Sequence, residues 1–131
     1  MRKSFWKGLR LPDLIVIFFV IVLFSGIIYY KYDIFACTSM QSEAKFSLQQ
    51  IAAAQMLYFN EFGSFATINK LESEKRIDLA KLYYNFVDGP PKPGFGFSAK
   101  AVGKAKTLVD GEIWEIDEKK SLTNVVNKCQ K

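Results

Sequence analysis

The chain predicts an α+β fold: a long N-terminal α-helix, half transmembrane and half amphipathic, packed on a small antiparallel β-sheet of three to four strands. Three observations predict it. Leu14 to Tyr30 (LIVIFFVIVLFSGIIYY) carries no charge. From Cys37 to Phe62 a single stripe of residues recurs at steps of four and three, the period of a helix. After Gly63, short apolar and aromatic segments alternate with Gly- and Pro-rich turns.

The helix has a readable start. Pro12 fits a first turn, where its missing N–H costs nothing. Asp13 beside it suits the positive end of the helix dipole. Seventeen residues from Leu14 to Tyr30, at about 1.5 Å each, rise about 26 Å, the short end of what crosses a bilayer. Ile, Val and Phe are poor helix formers in water, but in lipid the backbone must satisfy its own hydrogen bonds and helix wins. The run is longer than the apolar core of a secretory signal peptide. Lys31-Tyr32-Asp33-Ile34-Phe35 follows it where a small-residue cleavage site would stand. The basic N-terminus predicts cytoplasmic first residues and an exported remainder.

The stripe comprises Cys37, Gln41, Ala44, Leu48, Ile51, Gln55, Tyr58 and Phe62, and only Gln41 and Gln55 interrupt its apolar character. It reads as the core-facing side of the helix, with Lys45, Ser47, Gln49 and Asn60 on the opposite side. No Pro or Gly occurs between Gly26 and Gly63, so one helix of about 75 Å is expected from Pro12 to Phe62, ended by Gly63-Ser64. Thr67–Leu82 reads as a loop with one short helix. Tyr83–Val87, Phe95–Val102 and Glu112–Asp117 read as strands, and Leu122–Val126 as a short fourth. Three antiparallel strands over one amphipathic helix make an α+β domain.

Composition narrows the function. The net charge is +5 over 131 residues, and three of those charges (Arg2, Lys3, Lys7) sit at the N-terminus. The other basic residues are scattered among acids, so no nucleic-acid partner is expected. There are no histidines, no nucleophile–base pair and no phosphate loop; an enzyme is not expected and no cofactor is implied. Asp110, Glu112, Glu115, Asp117 and Glu118 lack the alternating spacing of a calcium loop and read as solvated strand and turn charges, with no metal. Cys37 and Cys129 lack metal-ligand spacing. In an exported domain they read as one disulfide, with two free thiols as the alternative.

Gly8-Leu9-Arg10-Leu11-Pro12-Asp13 stands between the basic start and the apolar run. It resembles the Gly-Phe-Thr-Leu-Ile-Glu of type IV prepilins and type II secretion pseudopilins. Leu9 stands for Phe, Arg10 for Thr, Pro12 for Ile and Asp13 for Glu. Gln41-Ser42-Glu43-Ala44-Lys45, Ala54-Gln55, and Tyr58-Phe59 through Glu61-Phe62-Gly63-Ser64-Phe65-Ala66 resemble a run common to many pilins, and the two stretches align without a gap. Phe97–Ala101 and Gly111–Asp117 resemble the family's C-terminal strands. The family's helix-kinking proline aligns with Tyr30, so that kink is expected to be absent.

The resemblance implies a leader peptide at 1–8, an assembly half of the helix at 9–36, and a pilin-like globular domain at 37–131 that includes the amphipathic half. A prepilin peptidase would cut between Gly8 and Leu9, and Leu9 would be N-methylated. Asp13 would meet the N-terminal amine of a neighbouring subunit. The implied partners are the membrane, the peptidase, an assembly platform and copies of the chain itself in a helical filament. The implied location is a bacterial inner membrane before assembly and a surface pilus or periplasmic filament afterwards. The alternatives are a pseudopilin of a type II secretion system and a non-polymerising bitopic membrane protein with an outer binding domain.

Overall fold

The computed structural model describes residues 10–90 and 96–130, Tyr30 by its backbone alone. It divides into two units with the boundary between Asp33 and Ile34. The fold is α+β, as the periodicities predict: a long helix α1 (Leu11–Phe62), a one-turn helix α2 (Ile68–Ser73), and strands β1 (Tyr84–Asp88), β2 (Ser98–Gly103), β3 (Ile113–Asp117) and β4 (Leu122–Val126). α1 is an uninterrupted α-helix of 52 residues, with Pro12 and Asp13 in its first turn and no break at Tyr30. Gly63 ends it in the left-handed conformation (φ 70°), its N–H bonded to the Phe59 carbonyl at 2.7 Å. A residue without Cβ takes that conformation at little cost.

In the first unit α1 is exposed throughout its described side chains; none from Leu11 to Tyr29 is buried. In the second unit the predicted stripe is the core. Cys37, Gln41, Ala44, Leu48, Ile51, Gln55 and Tyr58 are buried, whereas Phe62 is exposed. Ser47 is a correction: it is buried (1% exposed), not on the outer side. The buried arc also takes in Ala52 and Ala54, and at 100° per residue it spans about 160°, wide enough to reach Ser47 on its flank.

The four strands form one antiparallel meander, β1-β2-β3-β4. Tyr84 pairs with Gly103, Ala101 with Trp114, Ala99 with Ile116, and Ile116 with Leu122. Tyr84, Ala99, Ala101, Trp114 and Ile116 alternate onto one face and join the core cluster of α1. Small Ala99 and Ala101 on the second strand leave room for the helix against the sheet. Gly103 ends that strand where a Cβ would run into the Val109 carbonyl. β2 begins at Ser98 rather than at Phe95, which lies outside the described residues; Phe97 is buried all the same. α2 occupies the expected short helix, capped by the Thr67 hydroxyl, which accepts from the Lys70 N–H. The Asp88 carboxylate at the end of β1 accepts the Ile68 N–H, which ties the short helix to the sheet edge.

Candidate functional site

Two regions carry chemistry that a plain packing account leaves over. The first is the exposed start of α1. Helix α1 is long and apolar enough to cross a membrane, and none of its most apolar stretch is buried. Phe18, Phe19, Phe24 and Ile28 are each about two-thirds exposed, an arrangement that water disfavours and lipid or protein neighbours would relieve. At its head the Asp13 carboxylate accepts the backbone N–H of Arg10 at 3.0 Å. That is a capping contact: it satisfies one of the donors that a helix start leaves unpaired. The carboxylate is solvent-exposed, so its remaining lone pairs are free to take a second partner. The proposed cleavage and methylation positions, Gly8 and Leu9, lie outside the described residues.

The second region is a polar centre inside the domain. The Cys37–Cys129 disulfide is formed and closes a loop with a sequence separation of 92 residues. In the simple chain model such a crosslink stabilises by about 4–5 kcal/mol. Beside it lies Glu112, which is fully buried (0% exposed). Three neutral side chains donate to its carboxylate: Gln41 Nε2 at 2.6 Å, Asn124 Nδ2 at 2.9 Å and the Tyr84 hydroxyl at 2.8 Å. Cys129 Sγ is 3.9 Å from Oε2. One carboxylate thus meets α1, β1, β4 and the C-terminal tail.

The reading of the acidic cluster as solvated is therefore corrected for three of its five residues; Asp110 is exposed and Glu118 half-buried. Glu112, Glu115 and Asp117 are all buried. β3 is hydrogen-bonded along both edges, and Glu115 lies 3.8 Å from Lys100 of the neighbouring strand. Asp117 accepts the Lys119 and Ser121 N–H groups of the turn that follows. The donors around Glu112 satisfy the oxygens that burial takes away from water. Burial raises the Tyr84 pKa well above the usual tyrosine value, and its hydrogen bond to Glu112 raises it further. No group of metal-ligating side chains occurs among the described residues.

Glu112 was not legible as a site, but its partner left a signal. Gln41 and Gln55 interrupt an otherwise apolar stripe, and each meets polar groups inside the domain. Gln41 meets Glu112. Gln55 pairs with both sides of Ala66, accepting from its N–H at 2.9 Å and donating to its carbonyl. A glutamine on a core stripe marks a polar group that must be matched inside.

No protein family, curated protein or solved structure matches this chain.

Proposed function

We propose that this chain is a structural subunit of a type IV pilus-like filament, inserted in a membrane by the first half of α1 and polymerised through that same helix. The observation that carries the reading is α1 itself: one unbroken helix with a bare apolar stretch at one end and a disulfide-locked domain at the other. A permanent anchor needs no such continuity, since any linker would serve. A fibre subunit does need it, because the helix that leaves lipid must find the same apolar surroundings among its copies.

The chemistry at the helix head fits this reading. Cleavage after Gly8 would create an α-amine at Leu9, four residues before Asp13. An amine and a carboxylate in apolar surroundings each cost several kcal/mol alone, and pairing across two subunits relieves both. Asp13 would then exchange its capping role for an intersubunit one, or hold both with different oxygens. The domain's outer surface remains available to water, as a filament exterior requires.

Electron microscopy of cells with and without the chain tests the reading. Filaments that vanish on deletion and return on complementation support it. Cells whose filaments are unchanged, with the chain confined to the membrane fraction, would favour a bitopic protein that never polymerises.

A further inference from the structure

The end of the domain where α1 enters it brings cations and apolar side chains together. Cys37 opens the buried stripe, and its Sγ lies 3.7 Å from the Leu108 carbonyl oxygen in the loop after β2. That loop carries Lys104 and Lys106 as well as Leu108, which is 46% exposed. The Lys104 N–H donates to the Tyr83 carbonyl at 2.8 Å, and its ammonium donates to the Lys81 carbonyl. Both contacts hold Leu82, 70% exposed, next to the loop. Lys128 belongs to the same end: its Cε is 3.7 Å from where a Cβ on Gly111 would stand. Ile34, one turn before Cys37 on the same side of the helix, is half exposed.

The acids nearby are turned inward. Asp110 accepts the Lys106 N–H of its own loop, and Glu43 accepts the N–H groups of Tyr83 and Tyr84. Lys81 is already paired, its ammonium 2.6 Å from Glu72. Lys106 and Lys128 are exposed and Lys104 is half-buried; they ring the two exposed leucines. Such a mixture suits the boundary of water and lipid, where an apolar group enters and an ammonium stays with the phosphates. On α1 the charges of Lys31 and Asp33 offset one another. The chain also limits how far this end can be from a bilayer. Seven residues lead from Tyr30 to Cys37, about 10 Å as helix and at most about 25 Å fully extended. The headgroup layer beyond the hydrocarbon is about 5–8 Å deep.

We propose that this end of the domain is a lipid-binding surface. In the inserted chain Lys104, Lys106 and Lys128 contact the phosphates of anionic phospholipids, and Leu82 and Leu108 enter the boundary of the acyl chains. The proposal rests on the membrane insertion in the proposed function and not on polymerisation. Each lysine close to an anionic surface favours the contact, and salt weakens it because the surface field decays within a Debye length. A domain held in this way opposes extraction of its helix, so the subunit stays in the membrane until assembly removes it.

Lysine acetylation of the full-length chain tests this, in vesicles of phosphatidylcholine with and without added phosphatidylglycerol. Mass spectrometry reads the rate at each lysine. At Lys104, Lys106 and Lys128 the rate is expected to fall about fivefold in the anionic vesicles and to recover at high salt. Lys75 and Lys120, exposed on other turns of the domain, are expected to react alike in both lipids. Lys106→Gln with Lys128→Gln is expected to remove most of the protection at Lys104. A second readout is Leu108→Trp, whose emission brominated acyl chains are expected to quench in anionic vesicles. Equal rates in both lipids, for a chain that floats with the vesicles, would overturn the lipid contact and leave the proposed function standing. Equal protection at Lys75 and Lys120 would overturn it as well, because the adhesion would then favour no one surface. A chain that floats with neither vesicle would refute membrane insertion and both readings with it.

Discussion

Glu112 and its donors set the local rules of the domain. A buried carboxylate surrounded by Gln41, Asn124 and Tyr84 is tolerable only while all three hydrogen bonds hold. Glu112→Ala takes their acceptor from two buried donors, Gln41 and Tyr84, and from half-buried Asn124, and is expected to cost about 3 kcal/mol or more in urea unfolding. Glu112→Gln keeps the shape and one acceptor oxygen, so it is expected to cost less than the alanine variant; equal stability of wild type and Glu112→Ala would contradict the network. Tyr84 adds a pH dependence. Its pKa is raised in the folded state, first by burial and then by Glu112. Unfolded chains therefore ionise this phenol from about pH 10 upward while the folded one does not. The sign follows: stability is unaffected below that pH and falls as pH rises from it toward the raised folded value. Urea midpoints of wild type and Tyr84→Phe at pH 8 and pH 11 check this, with the phenylalanine variant expected to lose less over the interval. At this scale the sequence was only partly legible. The glutamines on the stripe interrupt its apolar run, but Glu112 looked like any strand charge, because spacing along a chain does not say which side chains a helix and a sheet enclose between them.

Elements were more legible than residues, and the reasons are physical. From Cys37 to Tyr58 the 3.6-residue period of α1 is enforced by core burial at every turn, so Ala44, Leu48, Ile51 and Tyr58 stand out in the sequence and are buried in the domain. The helix stop at Gly63 was readable because a residue without Cβ takes the left-handed conformation at least cost. Strand ends were less so: β1 runs to Asp88 rather than Val87, and β2 to Gly103 rather than Val102. Pairing with the neighbouring strand sets those limits, and pairing is not local in sequence. Ser47 misled because a small polar residue is compatible with either side of a helix, and only the width of the buried arc decides. Leu48 offers the clearest test of the helix–sheet packing. It is fully buried, and Leu48→Ala is expected to destabilise the domain by about 3 kcal/mol through lost burial and the cavity left behind. A loss under about 1 kcal/mol would mean that the domain face of α1 is not a packed core.

For the molecule as a whole, the disulfide and the apolar stretch answer different demands. Cys37–Cys129 locks the C-terminal tail to the helix, so the small domain does not rely on its modest core alone. The apolar stretch is exposed, and the proposed function gives it lipid and then copies of the chain as partners. The fold could be anticipated from one chain, whereas the proposed function involves many. The central claim is that this helix leaves the membrane to build a fibre after processing at Gly8. Mass spectrometry of the chain recovered from sheared and pelleted cell-surface material tests it most directly. The account predicts a chain that begins at Leu9 and retains its disulfide. A chain found only in membranes and still beginning at Met1 would contradict it.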